Sequence, residues 1–337
     1  MLAKGVCIMS RKLMKLMGLF LCVVLIGLGQ QSSFAEERPN HLITEVIVFH
    51  AGSLSGPFQK AAEAYEKSHP DIKITLEGSG SREAARKVTE LKRPCDVVAS
   101  ADYETIDNLM MPEYAKFNIF FARNKTVVAF TDKSKYANEI TSENWYDILS
   151  RPDVQYGHTD PNLDPGGYRA VLTLQLAEKY YHKQGLYQAL ENNFHESNTV
   201  NDGKTIREIL NSGRLDYFFF YESSAKQGGY RYITLPVELD FSSLDYANYY
   251  KQATLALTGK KTGSIEQVYG QPIIYGLTLV NNAPHTKEAL RFIHFLLTDG
   301  QKYLNDAGFI SMNPLVRTRE LPYIPAELRD LIKPLKQ

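Results

Sequence analysis

The sequence predicts an α/β protein of two lobes, each a mixed, mostly parallel sheet flanked by helices, with a two-strand hinge between them. Three observations lead there. Short β-branched runs alternate with amphipathic helical stretches along most of the 337 residues. Several of these runs end in turns built from Ser, Gly and Pro. The composition of the first region resumes at 272–297, after a central stretch of its own, so the chain is expected to cross between lobes twice.

ITEVIVFH (43–50) is a buried strand stopped by the small-residue turn AGSLSGP. Phe58, Ala61, Ala62 and Tyr65 then fall at i, i+3, i+4 and i+7, one face of a helix that ends at His69-Pro70. The unit repeats with IKITLE (72–77) as strand, GSGS (78–81) as turn and REAARKVTEL (82–91) as helix. CDVVAS (95–100) is a third strand, followed by a helical stretch with Ile106 and Leu109. FNIFFA (117–122) and TVVAFT (126–131) are strands separated by Arg123-Asn124-Lys125.

A second α/β region follows. SENWYDIL (142–149) is helical, a short strand lies near Val154–Tyr156, and DPNLDPGG opens a long helix over about 166–183 with Tyr168, Val171 and Leu172 on one face. KTIREIL (204–210) is a helix, and DYFFFY (216–221), ATLAL (253–257) and PIIYGLTLV (272–280) are strands. HTKEALRFIHFLL (285–297) is a helix with Leu290, Ile293 and Leu297 inward. The expected layout is a first lobe of 42–122 plus 275–325, a second of 123–274, and a C-terminal tail of 326–337. The hinge falls near Ala122–Thr126 and Gly270–Gly276.

The N-terminus has the anatomy of a signal peptide, residues 1–35. Arg11, Lys12 and Lys15 precede an apolar run from Leu16 to Leu28, and Ser33-Phe34-Ala35 offers a small-x-small cleavage site. The run is shorter than the roughly 20 residues that span a bilayer. Cleavage removes four basic residues and no acid, leaving 34 basic against 38 acidic. Such a mildly acidic chain has no broad electrostatic attraction for nucleic acid. Cys7 and Cys22 leave with the signal, so Cys95 alone remains and neither an internal disulfide nor a cysteine zinc cluster is available. Cys22 follows Leu19-Phe20-Leu21, without the small residues expected before a lipid-attachment cysteine.

The loops after the strands carry the candidate chemistry. Ser53 and Ser55 in one turn, and Ser79 and Ser81 in another, stand ahead of helices. Helix N-termini carry unpaired N–H groups and partial positive charge, and they take anions readily. Serine is also a preferred helix cap, so either turn alone reads first as a plain helix start, and only the two together at one sheet edge raise the anion reading to equal standing. Asp164 before Pro165 fits an N-cap with Pro at the first helical position, leaving the Gly166 and Gly167 amides unobstructed. Asp202 caps a further helix start with Gly203 beside it, and Tyr221 sits at a strand end. Beyond the carboxyl ends of such strands lies the usual ligand crevice. No P-loop, dinucleotide fingerprint, H-E-x-x-H or G-x-S-x-G motif is present. The eight histidines are scattered; His50, closing the first strand, lies nearest the expected crevice.

VFHAGSLSGPF, EGSGSREAARKVTEL, DVVASADYETI, NWYDILSRPDV, DPNLDPGGYRA, SGRLDYFFFYESSAKQ and LPVELDFSSLDYA occur in order over about residues 44–310. Together they resemble the tungstate/molybdate-binding proteins of ABC importers, in particular the tungstate-uptake branch. The resemblance implies a two-lobed periplasmic-binding-protein fold (type II) closing on one tetrahedral oxyanion. It places hydroxyl and amide donors at Ser53 and Ser81, a backbone donor at Gly166 and a cleft tyrosine at Tyr221. It also implies two carboxylates against the metal, expanding its coordination from four oxygens towards six. Asp164 matches the first; the second falls on Gly203, with Asp202 beside it, so that either Gly203 offers a backbone amide there or Asp202 or Glu222 substitutes as the carboxylate. Asp164 is thus either a direct ligand of tungsten or molybdenum or only the helix cap, and both readings stay open.

The expectation is an exported, monomeric solute-binding protein of the periplasm or extracytoplasmic face, not an enzyme. It would bind tungstate or molybdate as its ligand, without a cofactor, and deliver it to an ABC transporter permease, through which it would meet the membrane. A sulfate or phosphate binder is the alternative within that class. A secreted hydrolase would require a histidine within hydrogen-bond reach of Ser53 or Ser81.

Overall fold

The computed structural model describes residues 43–261 and 263–335, so the signal expected at 1–35 lies outside the described residues. Strand β1 (Thr44–Ala51) runs parallel to β2 (Ile72–Ser79) on one side and β3 (Val97–Ser100) on the other. Val46 and Val48 on one face and Phe49 on the other are all buried. A strand covered on both faces needs a continuous apolar run, which this segment supplies. Helix α1 (Ser55–Ser68) buries the expected stripe of Phe58, Ala61, Ala62 and Tyr65 and stops at His69, ahead of Pro70. Helix α2 (Ser81–Thr89) buries Ala84, Ala85 and Val88. After β3, Asp102 caps a short α3 (Tyr103–Thr105), which passes into a π turn at Ile106–Met110.

Strand β4 (Ile119–Arg123) leads through Asn124 and Lys125 into β5 (Thr126–Phe130), which belongs to a different sheet. Then come α4 (Trp145–Leu149), β6 (Tyr156–Gly157), α5 (Pro165–Tyr180), α6 (Leu186–Asn193) and α7 (Gly203–Ser212). Strand β7 (Tyr217–Tyr221), α8 (Glu222–Gly228), β8 (Arg231–Thr234), α9 (Val237–Asp240) and α10 (Ala247–Tyr250) follow. A two-stranded antiparallel ribbon is made by β9 (Thr254–Thr258) and β10 (Ile265–Tyr269). The chain then returns to the first sheet with β11 (Ile274–Leu279), α11 (Thr286–Leu297), α12 (Gln301–Asp306), β12 (Ile310–Val316) and β13 (Lys333–Pro334).

The two principal sheets are ordered β13-β12-β4-β11-β3-β1-β2 and β6-β7-β5-β8. In the larger, β2-β1-β3 and the β12-β13 pair are parallel, while β11 and β12 each run antiparallel to β4. In the smaller, β6 is parallel to β7, and β5 is antiparallel to both β7 and β8. The architecture is two-lobed α/β, one lobe per sheet.

Helix α5 is buried nearly all round, from Pro165 to Ala177, rather than along a single stripe. It packs between β7, α6, α9 and β9 and serves as the central helix of its lobe. Residues 326–335, set apart as a tail, are joined to the first sheet: Leu328 and Ile332 are buried and β13 pairs with β12. Strands β8, β10 and β12 went unrecognised in the sequence. The first has no buried position and the second only one, and the third carries Pro314 at a register shift between Ser311 and Leu315.

Candidate functional site

Because β1, β2 and β3 are parallel, their carboxyl ends share one sheet edge, where the turns at Gly52–Leu54, Gly80 and Ala101 lie side by side. Facing them are three element ends of the other lobe: the starts of α5 and α7, and the junction of β7 with α8. The two walls enclose a cleft of about 820 Å³, with Ser53, Asp164, Gly166, Gly203 and Tyr221 all on its lining. Lys60, Arg207 and Lys226 also line it. Ser81 does not: it is fully buried behind Gly80 and Ala101, and its Oγ accepts the Ala101 amide at 2.9 Å. His50, buried under Gly78, is not on the lining either; burial lowers its pKa and favours the neutral ring.

Asp164 is the N-cap of α5. Its Oδ1 accepts Gly166 N–H at 2.6 Å and the Thr159 hydroxyl at 3.0 Å, while Oδ2 takes part in neither bond. The Gly166 amide, expected as a free donor, is therefore engaged by Asp164. Burial raises the Asp164 pKa, against the opposing effect of those two hydrogen bonds. Asp202 caps α7 in the same way, accepting Thr205 Oγ1 at 2.6 Å and Thr205 N–H at 2.7 Å; the hydroxyl above all lowers its pKa. Gly203, in the first turn of α7, is exposed, with open space where a side chain would stand.

Reading the sequence missed the charged group beneath this cleft. Arg169, one turn into α5, is 1 % exposed. Its Nη1 donates to the Tyr221 hydroxyl at 2.9 Å, and its Nη2 lies 3.3 Å from Asp102 Oδ2, on the opposite wall. Tyr168 also hydrogen-bonds to Asp102 Oδ2. Burial works against the Arg169 charge, but Tyr221, Asp102 and Tyr168 outweigh it and hold the guanidinium protonated. The available signal was a single charged residue, Arg169, in a mostly apolar helical run, Tyr168–Ala177. Ser53 likewise has an unforeseen partner, since its Oγ lies 2.8 Å from the hydroxyl of Tyr275 on β11.

The walls also touch directly. The Leu163 carbonyl accepts the Arg82 and Glu83 N–H groups of α2 at 3.0 and 3.2 Å. Arg82 reaches Glu266 on β10 at 2.9 Å, and Arg86 reaches the Asn162 and Thr258 carbonyls, both at 2.8 Å. Among the described residues, no histidine is hydrogen-bonded to Ser53 or Ser81, the pairing a hydrolase would need. Nor do they contain a cluster of three or more His, Cys, Asp or Glu able to hold a metal cation. Cys95 is buried and unpaired, and burial pushes its thiol up to about 12.

Comparison with known proteins agrees with this architecture. The molybdate/tungstate-binding protein WtpA of Thermococcus kodakarensis is 38 % identical, the match covering 95 % of this chain and 98 % of that protein. An uncharacterized solute-binding protein of Petrotoga mobilis is 44 % identical over 86 % of this chain and 90 % of its own. Among solved structures, the periplasmic molybdate-binding protein of Azotobacter vinelandii superposes with a TM-score of 0.58 at 15 % identity. That superposition covers 79 % of this chain and 99 % of that one, a likeness of fold. The family description "Bacterial extracellular solute-binding protein" matches residues 46–310, a span that takes in both walls of the cleft. A two-lobed fold, a cleft at its strand ends and relatives matched almost end to end converge on one statement: the chain belongs to the bacterial extracellular solute-binding protein family.

Proposed function

We propose that this protein captures tungstate or molybdate between its lobes, outside the cytoplasm, and delivers it to the permease of an ABC transporter. The observation that carries the reading is that Ser53, Gly203 and Tyr221 line one cleft, with the Arg169 cation bonded to the Tyr221 hydroxyl. Identity of 38 % to a molybdate/tungstate-binding protein, across nearly the whole chain, supports the choice of anion. Ser81 contributes from behind the first wall. The lobes are 42–122 plus 275–335 and 123–274, hinged at Ala122–Thr126 and Gly270–Gly276, the first taking in the segment 326–335 that pairs with its sheet. The walls of the cleft already touch through Leu163, Arg82 and Arg86, so hinge opening admits the anion and closure holds it. Residues 1–35 direct export and are removed, and the mature protein acts as a monomer with no cofactor.

Asp164 acts as the cap of α5, and the bound anion stays tetrahedral. Its Oδ1 is spent on Gly166 and Thr159, and the second carboxylate needed for higher coordination is replaced by Gly203. A free carboxylate close to a dianion would otherwise repel it. The test is isothermal titration with tungstate, molybdate and sulfate, paired with an absorption-edge spectrum of the bound metal. Tight binding of the first two and a four-oxygen spectrum are expected. Failure to bind either metal oxyanion overturns the ligand assignment, and a six-oxygen spectrum overturns the role given to Asp164.

A further inference from the structure

Asn124 lies at the first crossing between the sheets and is 1 % exposed. Chemistry fixes the orientation of its amide. One side-chain atom meets the backbone N–H groups of Lys125 at 3.0 Å and Ser223 at 3.4 Å. Those groups only donate, so the atom facing them is the carbonyl Oδ1 and the other is the donor Nδ2. Nδ2 donates to Ser223 Oγ at 2.7 Å and to the Tyr275 hydroxyl at 3.2 Å. Tyr275 is wholly buried, and the acceptor for its own proton is Ser53 Oγ, 2.8 Å away. The Ser53 proton is then free of the protein and lies on the cleft lining.

We infer that Asn124 is a positioning residue: acting through Tyr275, it orders the hydroxyl protons so that Ser53 faces the cleft as a donor. The inference rests on the oxyanion reading and extends it to selectivity. A fully ionised dianion such as molybdate offers only acceptors, whereas hydrogen phosphate brings a proton that needs an acceptor. A serine held as donor favours the first. The crossing between the lobes and the anion contact are thereby joined through two side chains, Tyr275 and Ser53.

The test titrates the wild type, Asn124→Asp and Tyr275→Phe with molybdate and with phosphate, by calorimetry and by displacement of bound molybdate. At about pH 8 both anions are dianions. A carboxylate at 124 accepts the Tyr275 proton instead of giving one; Tyr275 then accepts from Ser53, and Ser53 shows the cleft a lone pair. The added charge repels both dianions alike, so their affinity ratio isolates the proton order. The molybdate-over-phosphate ratio should fall about tenfold or more in Asn124→Asp, on the scale of a hydrogen bond to a charged group. In Tyr275→Phe, where Ser53 turns freely, it should fall severalfold. An unchanged ratio in folded Asn124→Asp overturns the inference; should that variant not fold, an unchanged ratio in Tyr275→Phe does so. Wild-type protein that binds no molybdate overturns the oxyanion reading instead.

Discussion

The Arg169 guanidinium spans the two walls of the cleft: it donates to Tyr221 at 2.9 Å on its own lobe and meets Asp102 at 3.3 Å on the other. Tyr221 therefore has one oxygen lone pair occupied from behind, which leaves its hydroxyl proton for a ligand. The same guanidinium sets a positive charge under the site, paired with the Asp102 carboxylate.

Replacing Arg169 with Met should destabilise the fold by about 3–5 kcal/mol, because it leaves the Asp102 carboxylate buried without its cation. Urea unfolding measures this. The double variant with Asp102→Asn should lose less than the sum of the two single losses, since the pair acts as a unit. Strict additivity would show that the 3.3 Å approach contributes no coupling.

Ser53→Ala should weaken molybdate binding about tenfold or more, the scale of one hydrogen bond to a charged group. The chain should stay folded, because the loss inside the protein is the acceptor of one buried hydroxyl, that of Tyr275, which costs about 1–3 kcal/mol. Calorimetry and a thermal melt on the same sample separate the two effects.

Arg86 touches no residue proposed to meet the anion, yet it bridges α2 to the Asn162 and Thr258 carbonyls of the other lobe. Arg86→Ala should raise the dissociation constant for molybdate about fivefold by removing contacts made only while the walls are together. Small-angle scattering of the anion-free protein should show a larger radius of gyration than in the wild type. Unchanged affinity would mean that the lobe contact is energetically silent.

Two carboxyls give stability a maximum in mildly acid solution. Hydrogen bonding, above all from Arg93, lowers Glu77 from 4.5 to about 2, so its contribution is present above pH 4.5 and is lost as pH falls towards 2. Burial, with Asp102 adding to it, raises Glu104 from 4.5 to about 7. The folded state then holds a proton that the unfolded chain releases, so stability declines as pH rises from 4.5 to 7 and levels off above. Denaturant titrations across that range should show the decline in the wild type and a flatter profile in Glu104→Gln. An equal slope in both would remove Glu104 as the cause.

Much of this was readable from local chemistry. The apolar runs at 43–50 and 95–100 are strands buried on both faces, and Asp164 and Asp202 are helix caps, as their neighbours Pro165 and Gly203 suggested. What escaped depends on pairs far apart in the chain. Ser53 meets Tyr275 across 222 positions and Arg169 meets Tyr221 across 52, and no spacing rule links them. The burial of Ser81 was hidden for a related reason: a serine at a helix start faces either solvent or the protein, and its partner, the Ala101 amide, lies 20 positions away. The edge strand β8 and ribbon strand β10 escaped because strands with at most one buried position lack the apolar pattern that marks the others.

The clearance between the lobes is set by one missing carbon. A Cβ on Gly80 would fall 2.3 Å from the Leu163 carbonyl oxygen, the same atom that accepts the first N–H groups of α2. Even alanine would act there as a wedge, forcing the Gly80 turn and the Leu163 backbone apart although neither residue is proposed to touch the anion. The geometric tolerance of capture is thus written into a residue with no side chain, and a fault at that point would be felt as a loose grip rather than a lost contact.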